Sequence, residues 1–241
     1  MNIRNLGKGK FEDIVHEMDS VGLDMLVVTQ TTLRGNVMEV DEIDNYKFIG
    51  KGREKIKRSG GGVGIIYNCQ KGVILDEIDV ESECKESEDI AVFRAHSAAQ
   101  YRDIECILVV CYMTVDGPNM SENVAKYRVL LDIVEKYRSS NLIVLGDMNG
   151  HTGILGERTN YNGELLMDFA ENAGLEILNH TIAEGKVTWS NRISESAIDY
   201  VLVNQEARSK VQSMVVDEEG IIDIDSDHNA LLFDFGKYND Q

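Results

Sequence analysis

The chain is 241 residues long, 43% hydrophobic and 27% charged, with a formal net charge of −18 at pH 7. That length and balance suit one large globular domain with a sizeable core, and the absence of any apolar run of about 18 residues argues against a membrane span. The acidity argues against the broad basic field usual in nucleic-acid binders, because it repels a polyanion at long range. The opening Met1-Asn2-Ile3-Arg4-Asn5 lacks the apolar stretch of a secretory signal, so an intracellular protein, cytoplasmic or nuclear and free of the membrane, is expected.

In chain order, Phe11, Ile14, Val15 and Met18 recur at helical spacing and predict a helix over residues 10–20, stopped by Gly22. Residues 23–29 read as a buried strand. Lys51-Gly52-Arg53-Glu54-Lys55-Ile56-Lys57-Arg58 is the one basic cluster, and Arg53 and Lys55 suit a phosphate-contacting arm as well as a plain exposed loop. The run Gly60-Gly61-Gly62-Val63-Gly64 opens a strand over 63–67. No Lys-Ser/Thr pair or helix pattern follows it, which excludes a P-loop. Residues 76–89 form an acidic segment broken by Lys85, read as a solvated face or hairpin.

Strands are expected over 91–96 and 104–113. Cys106 and Cys111 flank an apolar run in the second and must face opposite sides of it, so buried free thiols are expected rather than a bridge. Val124, Tyr127, Leu130, Leu131 and Val134 mark a helix over 121–138 with Ser121 as N-cap. A strand over 141–145 runs straight into Gly146-Asp147-Met148-Asn149. Leu165, Leu166 and Phe169 mark an inward face of a helix over 163–172, with Gly174 near its end. Later strands fall at 175–178, 187–190, 198–203 and 230–235. Strands dominate with two or three helices interspersed, which predicts an α+β protein of two packed sheets with helices outside. One proline, no linker and no repeat make residues 1–241 a single expected domain.

Three polar tips stand where apolar strands end. Asp147-Met148-Asn149 follows Leu142-Ile143-Val144-Leu145-Gly146; Asp147 can accept a proton from water or ligate a hard cation, and Asn149 can position a phosphate oxygen or that water. Taken alone, the triplet is also an ordinary turn. Asp199 lies inside the apolar stretch Ile198-Asp199-Tyr200-Val201-Leu202-Val203, where a buried carboxylate needs a partner. A histidine is the natural one, and Ser226-Asp227-His228 supplies it at the start of the last strand.

Together these tips resemble the C-terminal signatures of the endonuclease/exonuclease/phosphatase superfamily. Asn149-Gly150-His151-Thr152-Gly153, Asn162-Gly163-Glu164-Leu165-Leu166, Leu178-Asn179 and Val187-Thr188-Trp189-Ser190 are similar to the non-LTR retrotransposon endonuclease branch and to craniofacial-development-protein-like sequences. The resemblance covers nearly the whole chain and is strongest from Asn141 onward. It implies a DNase I-like four-layer α/β/β/α sandwich with mostly antiparallel sheets, and a monomer that hydrolyses phosphodiesters, DNA above all, with Mg²⁺ or Mn²⁺. Asp147 would orient or deprotonate water, assisted by Asn149, and His228, oriented by Asp199, would contact the scissile phosphate. Asn2, in a first motif preceded only by Met1, and Tyr112 would hold that phosphate, while Thr188 and Trp189 would line the substrate side. Asp227 would assist the metal. Gln30 stands where the family has a metal-binding Glu; an amide can ligate but brings no charge, so reduced or absent activity is expected. A small-molecule or lipid phosphatase and a non-catalytic interaction protein on the same scaffold are the competing expectations.

Overall fold

A computed structural model describes residues 1–33, 43, 45–53, 60–79, 88–97, 102–103, 105–117 and 120–238. In chain order the elements are α1 (Lys8–Ser20), β1 (Met25–Thr29), β2 (Tyr46–Lys51), β3 (Val63–Asn68), β4 (Val73–Ile78), β5 (Ile90–Ser97), β6 (Arg102–Asp103), β7 (Glu105–Tyr112) and α2 (Met120–Lys136). They continue with β8 (Leu142–Asp147), α3 (Tyr161–Ala173), β9 (Glu176–Ile177), α4 (Leu178–Thr181), β10 (Trp189–Ser190), β11 (Glu195–Ser196), β12 (Asp199–Val203), α5 (Gln205–Arg208), β13 (Val211–Val216), β14 (Leu231–Phe235) and β15 (Lys237–Tyr238).

The central sheet runs β4-β5-β7-β8-β12-β9, and its strands send alternate side chains to opposite faces. Val92, Val109, Cys111, Val144, Tyr200 and Leu202 pack under α2 and α3, against Tyr127, Leu130, Leu166 and Phe169. Their neighbours Ala91, Phe93, Leu108, Val110, Ile143, Val201 and Val203 face the second layer of strands, meeting Val63, Ile65, Met25, Val27, Met214 and Phe233. That layer holds the sheet β1-β3-β2 and the pair β13-β14. Its outer side is covered by α1 through Phe11, Ile14, Val15 and Met18, packed with Leu26, Val28, Phe48 and Ile66. The four layers are therefore helix, sheet, sheet, helix, as in a DNase I-like α+β sandwich. Cys106 and Cys111 fall in different cores, as their odd spacing requires, and burial pushes both thiols up to about 12.

All neighbours in the central sheet are antiparallel except β7 and β8, which run parallel. These two approach so closely that a Cβ on Gly146, at φ +153, would stand 1.8 Å from the Cys111 carbonyl oxygen. Only glycine fits there. Asn160 caps α3 by accepting from the Gly163 N–H at 2.8 Å, and Gly174 ends it in the left-handed conformation.

Several boundaries differ from the sequence-based expectation. Ser121 lies inside α2, which already begins at Met120, so it is not the cap. The strand expected at 175–178 is only the two residues of β9, because the chain turns into α4 at Leu178. β2, β4 and β13 were not expected; charged residues interrupt the apolar alternation of β2 and β4, and Gln212 and Ser213 that of β13. The acidic segment begins as part of β4, hydrogen-bonded to β5, and its residues 80–87 lie outside the described residues.

Candidate active site

Three strands of the central sheet bring their ends together. In register, Tyr112 of β7 pairs with Asp147 of β8, and Asp147 pairs with Asp199 of β12. Each is two residues along its strand from a side chain in the inter-sheet core (Val110, Leu145 and Val201), so all three point between the layers. Asp147 and Asp199 are almost fully buried.

His228 completes the cluster. Its Nδ1 donates to Asp199 Oδ2 at 2.7 Å. Ligand atoms of Asp147, Asp199 and His228 all lie within 4.8 Å of one another. Burial raises the Asp147 carboxyl, Asp199 beside it raises it further, and it is pushed up to about 7 although His228 and the amide of Asn2 oppose the shift. Burial disfavours the imidazolium, but Asp199 outweighs it, helped by Asp147 and Asp227, and the His228 pKa lies above the ordinary histidine value. The pair thus combines a carboxyl poised near neutrality with a ring that favours its proton.

Asn2 enters from a segment paired with the end of β1: Ile3 N–H donates to the Thr29 carbonyl and Thr29 N–H to that of Met1, both at 3.0 Å. Its Nδ2 donates to Asp147 Oδ2 at 2.9 Å, and Asp147 Oδ1 accepts the Asn149 N–H at 3.1 Å. The Asn149 amide donates to the Met113 carbonyl at 2.8 Å, which fixes the side chain against the end of β7. Gln30 follows β1 in the left-handed conformation, φ +54, and its Nε2 donates to the Tyr112 hydroxyl at 2.5 Å. Burial, then Asp147, pushes the Tyr112 hydroxyl up to about 12, so it stays protonated at neutral pH.

Asp227 lies at the rim. Its Oδ2 accepts from the Trp189 indole N–H at 2.5 Å and forms an ion pair with Arg4, while Oδ1 is buried without a hydrogen-bond partner. Asp199 Oδ1 is likewise buried and unpartnered. Trp189 is half-buried and its backbone bridges to His228. Thr188 does not line a substrate surface as expected. It is fully buried, and its hydroxyl accepts the N–H groups of Ile198 and Asp199 at 2.9 and 3.0 Å, holding the start of β12.

Arg53 is also not on a free arm. Its guanidinium bonds both oxygens of the buried Asp89, Nε to Oδ1 at 2.9 Å, and lies 6.0 Å from the Tyr112 ring centroid. Lys126 Nζ reaches the same carboxylate at 2.7 Å and the Tyr112 carbonyl at 3.0 Å. Burial opposes the Asp89 charge, but two cations pull its pKa below the ordinary value; Lys126, buried and beside Arg53, is lowered despite its partner. Lys55 lies outside the described residues. Arg4, Asp89 and Lys126 had escaped the sequence reading. The available signal for Lys126 was its helical spacing from Asn123, Leu130 and Ile133, all core positions.

Comparison with known proteins agrees with this architecture. The chain matches the endonuclease domain of TRAS1, a telomere-specific non-LTR retrotransposon, with a TM-score of 0.71 and 19% identity, covering 98% of this chain and 95% of that one. It matches the AP endonuclease LMAP from Leishmania major with a TM-score of 0.75 and 13% identity, covering 98% and 86%. Craniofacial development protein 2 of Tragulus javanicus is 25% identical over 255 residues, which include 97% of this chain; the chain spans 41% of that protein's length. A family profile described as "Endonuclease-reverse transcriptase" matches residues 107–232, more than half of the sequence and the part that carries Tyr112, Asp147, Asp199 and His228. The chain belongs to this endonuclease–reverse transcriptase family of the endonuclease/exonuclease/phosphatase superfamily.

Proposed function

We propose that this protein is a metal-dependent phosphodiester hydrolase acting as a DNA endonuclease, with its activity reduced by Gln30. The observation that carries this reading is the buried contact of Asp147, Asp199 and His228 at the mouth between the two sheets. A carboxyl pushed up to about 7 suits a base that takes a proton from water near neutral pH. Asp147 would orient and deprotonate the attacking water, with Asn2 and the Asn149 N–H fixing its two oxygens. The imidazolium of His228, held by Asp199, would meet the non-bridging oxygens of the scissile phosphate as their charge grows. Protonated Tyr112 would donate a hydrogen bond to the same group. Water oxygen would bond to phosphorus as its proton passes to Asp147, the bond to the 3′ oxygen would break and that oxygen would take a proton from solvent water, leaving a 3′-hydroxyl and a 5′-phosphate.

The donor set fits a hard divalent cation, since two buried carboxylate oxygens, on Asp199 and Asp227, lack a hydrogen-bond partner. Asp227 and the Gln30 amide oxygen would hold Mg²⁺ or Mn²⁺. When bound, the cation would supply Lewis-acid stabilisation to the leaving oxygen. Gln30 brings no charge to it, and its amide nitrogen donates to Tyr112.

The test is Mg²⁺-dependent nicking of supercoiled plasmid. Gln30→Glu should nick faster than the parent by about tenfold or more, the effect of returning one charged ligand. No nicking by either protein would sink the nuclease assignment. The net charge of −18 weighs against a polyanion without specially favouring a small anion, and the second reading is hydrolysis of a small phosphate ester. Turnover of inositol phosphates by Gln30→Glu, with plasmid untouched, would decide for it.

A further inference from the structure

Asp227 carries an unusual set of partners for a proposed cation ligand. Arg4 stands in the left-handed conformation, φ +59, with its N–H donating to Asn2 Oδ1 at 3.0 Å. That turn aims the side chain across the rim to Asp227, 223 positions away in the sequence. The guanidinium and the Trp189 indole N–H converge on Oδ2, and Oδ1 stays buried and unpartnered, 3.9 Å from His228 Nε2. The Arg4 side chain is 60% exposed against 17% for Asp227, so the arginine can swing into solvent while the carboxylate cannot.

We propose that Arg4 is an internal counter-ion that holds the place of the divalent cation at Asp227, so that guanidinium and metal occupy this carboxylate in competition. The inference rests on the cation reading given above. It explains how the rim carboxylate keeps a charge partner in a metal-free protein: a buried oxygen of an ionised carboxylate is costly without one. Two positive groups beside one carboxylate repel, and the neutral Gln30 amide, named above as the second ligand, adds no charge to relieve the repulsion. Release of Arg4 also leaves a planar, five-donor fork at the rim, where a phosphate arrives.

The experiment is titration of Mn²⁺ into the metal-free protein without nucleic acid, followed by loss of the free-ion electron paramagnetic resonance signal. Arg4→Ala should bind Mn²⁺ more tightly than the parent, roughly fivefold, as expected for removing one exposed ion-pair competitor and its repulsion. In an Asp227→Asn background the same change should bring no gain, which ties the effect to that carboxylate. Thermal unfolding of each variant checks that it is folded. Mn²⁺ binding that is unchanged or weaker in Arg4→Ala overturns the counter-ion proposal alone, because a mere staple between these two segments would weaken the site when cut. A gain that persists with Asp227→Asn also overturns it. Absence of Mn²⁺ binding in parent, Arg4→Ala and Gln30→Glu alike removes the cation reading, and this inference with it.

Discussion

Asp147 and Asp199 face each other directly across the antiparallel β8–β12 pair, two acids in adjacent strands aimed into one buried site. Two carboxylates so placed cannot both ionise without cost, and Asp147 is the one pushed up, to about 7. The folded protein therefore binds a proton there that the unfolded chain, near 4, has already lost.

The sign follows. A carboxyl raised on folding imposes no penalty below its unfolded value, and an increasing one as pH rises toward its folded value. Asp147→Asn should accordingly stabilise the metal-free protein more at pH 8 than at pH 5, by about 2 kcal/mol of difference between the two conditions. Urea unfolding at both pH values measures it; an equal effect at the two would contradict the raised carboxyl. The same variant should lose hydrolysis by at least about a hundredfold.

A second expectation concerns His228. Its raised pKa extends the imidazolium to higher pH than an ordinary histidine, and the accompanying stability is present below about 6.5 and lost as pH rises through the folded value. Activity should rise with ionisation of Asp147 near 7 and fall as His228 deprotonates. Asp199→Asn removes the charge that holds the proton, so the alkaline limb should move to lower pH, and the rate at the optimum should fall about a hundredfold. Histidine ring resonances followed by NMR give an independent reading. A His228 titration unmoved by this substitution would separate the two residues functionally.

The Asp89–Arg53–Lys126 cluster should matter for stability. Lys126→Met takes one cation from a buried carboxylate and should cost about 3 to 5 kcal/mol. The double variant with Asp89→Asn should cost less than the sum of the two singles, since the carboxylate is gone. Because Asp89 is lowered on folding, the contribution is full above about pH 4 and lost as pH falls through the folded value. Denaturant midpoints from pH 2 to 7 test both points, and strictly additive costs would argue against the cluster acting as a unit.

Gly146→Ala is expected to be the most damaging single-methyl change at the site. The added carbon meets a carbonyl of the neighbouring strand rather than a movable side chain, so a loss of at least about 2 kcal/mol is expected. Retention of parental stability, measured by thermal unfolding, would mean that β7 and β8 can separate without penalty.

The sequence disclosed the site unevenly, for physical reasons. Asp147 was legible because four apolar residues run into it, and Asp199 because a charged residue interrupts an apolar strand. What these residues touch was expected in part: an acid buried in that stretch requires a partner, and His228 is that partner. Thr188 was misread because a hydroxyl facing backbone amides looks, in sequence, the same as one facing a ligand. Arg53 was misread because a basic run gives no hint that one member turns inward to an acid 36 positions later. Asp89 was lost in an acidic segment read as a solvated face or hairpin, and Lys126, a charged residue in a helix marked by its apolar positions, drew no reading. Ion pairs between distant segments leave no periodicity to detect. Strands such as β13 were missed because polar residues break the alternation that would have marked them.

The reacting groups arrive from segments far apart in the sequence, Asn2 from one and His228 from the other, with Ser226 Oγ bonded to the Asn2 carbonyl at 2.6 Å between them. Parting of that seam dismantles the constellation while the central sheet still stands. In a heating or denaturant series, catalytic competence should vanish at milder conditions than the far-ultraviolet signal, making turnover a sensor of the seam between the two segments.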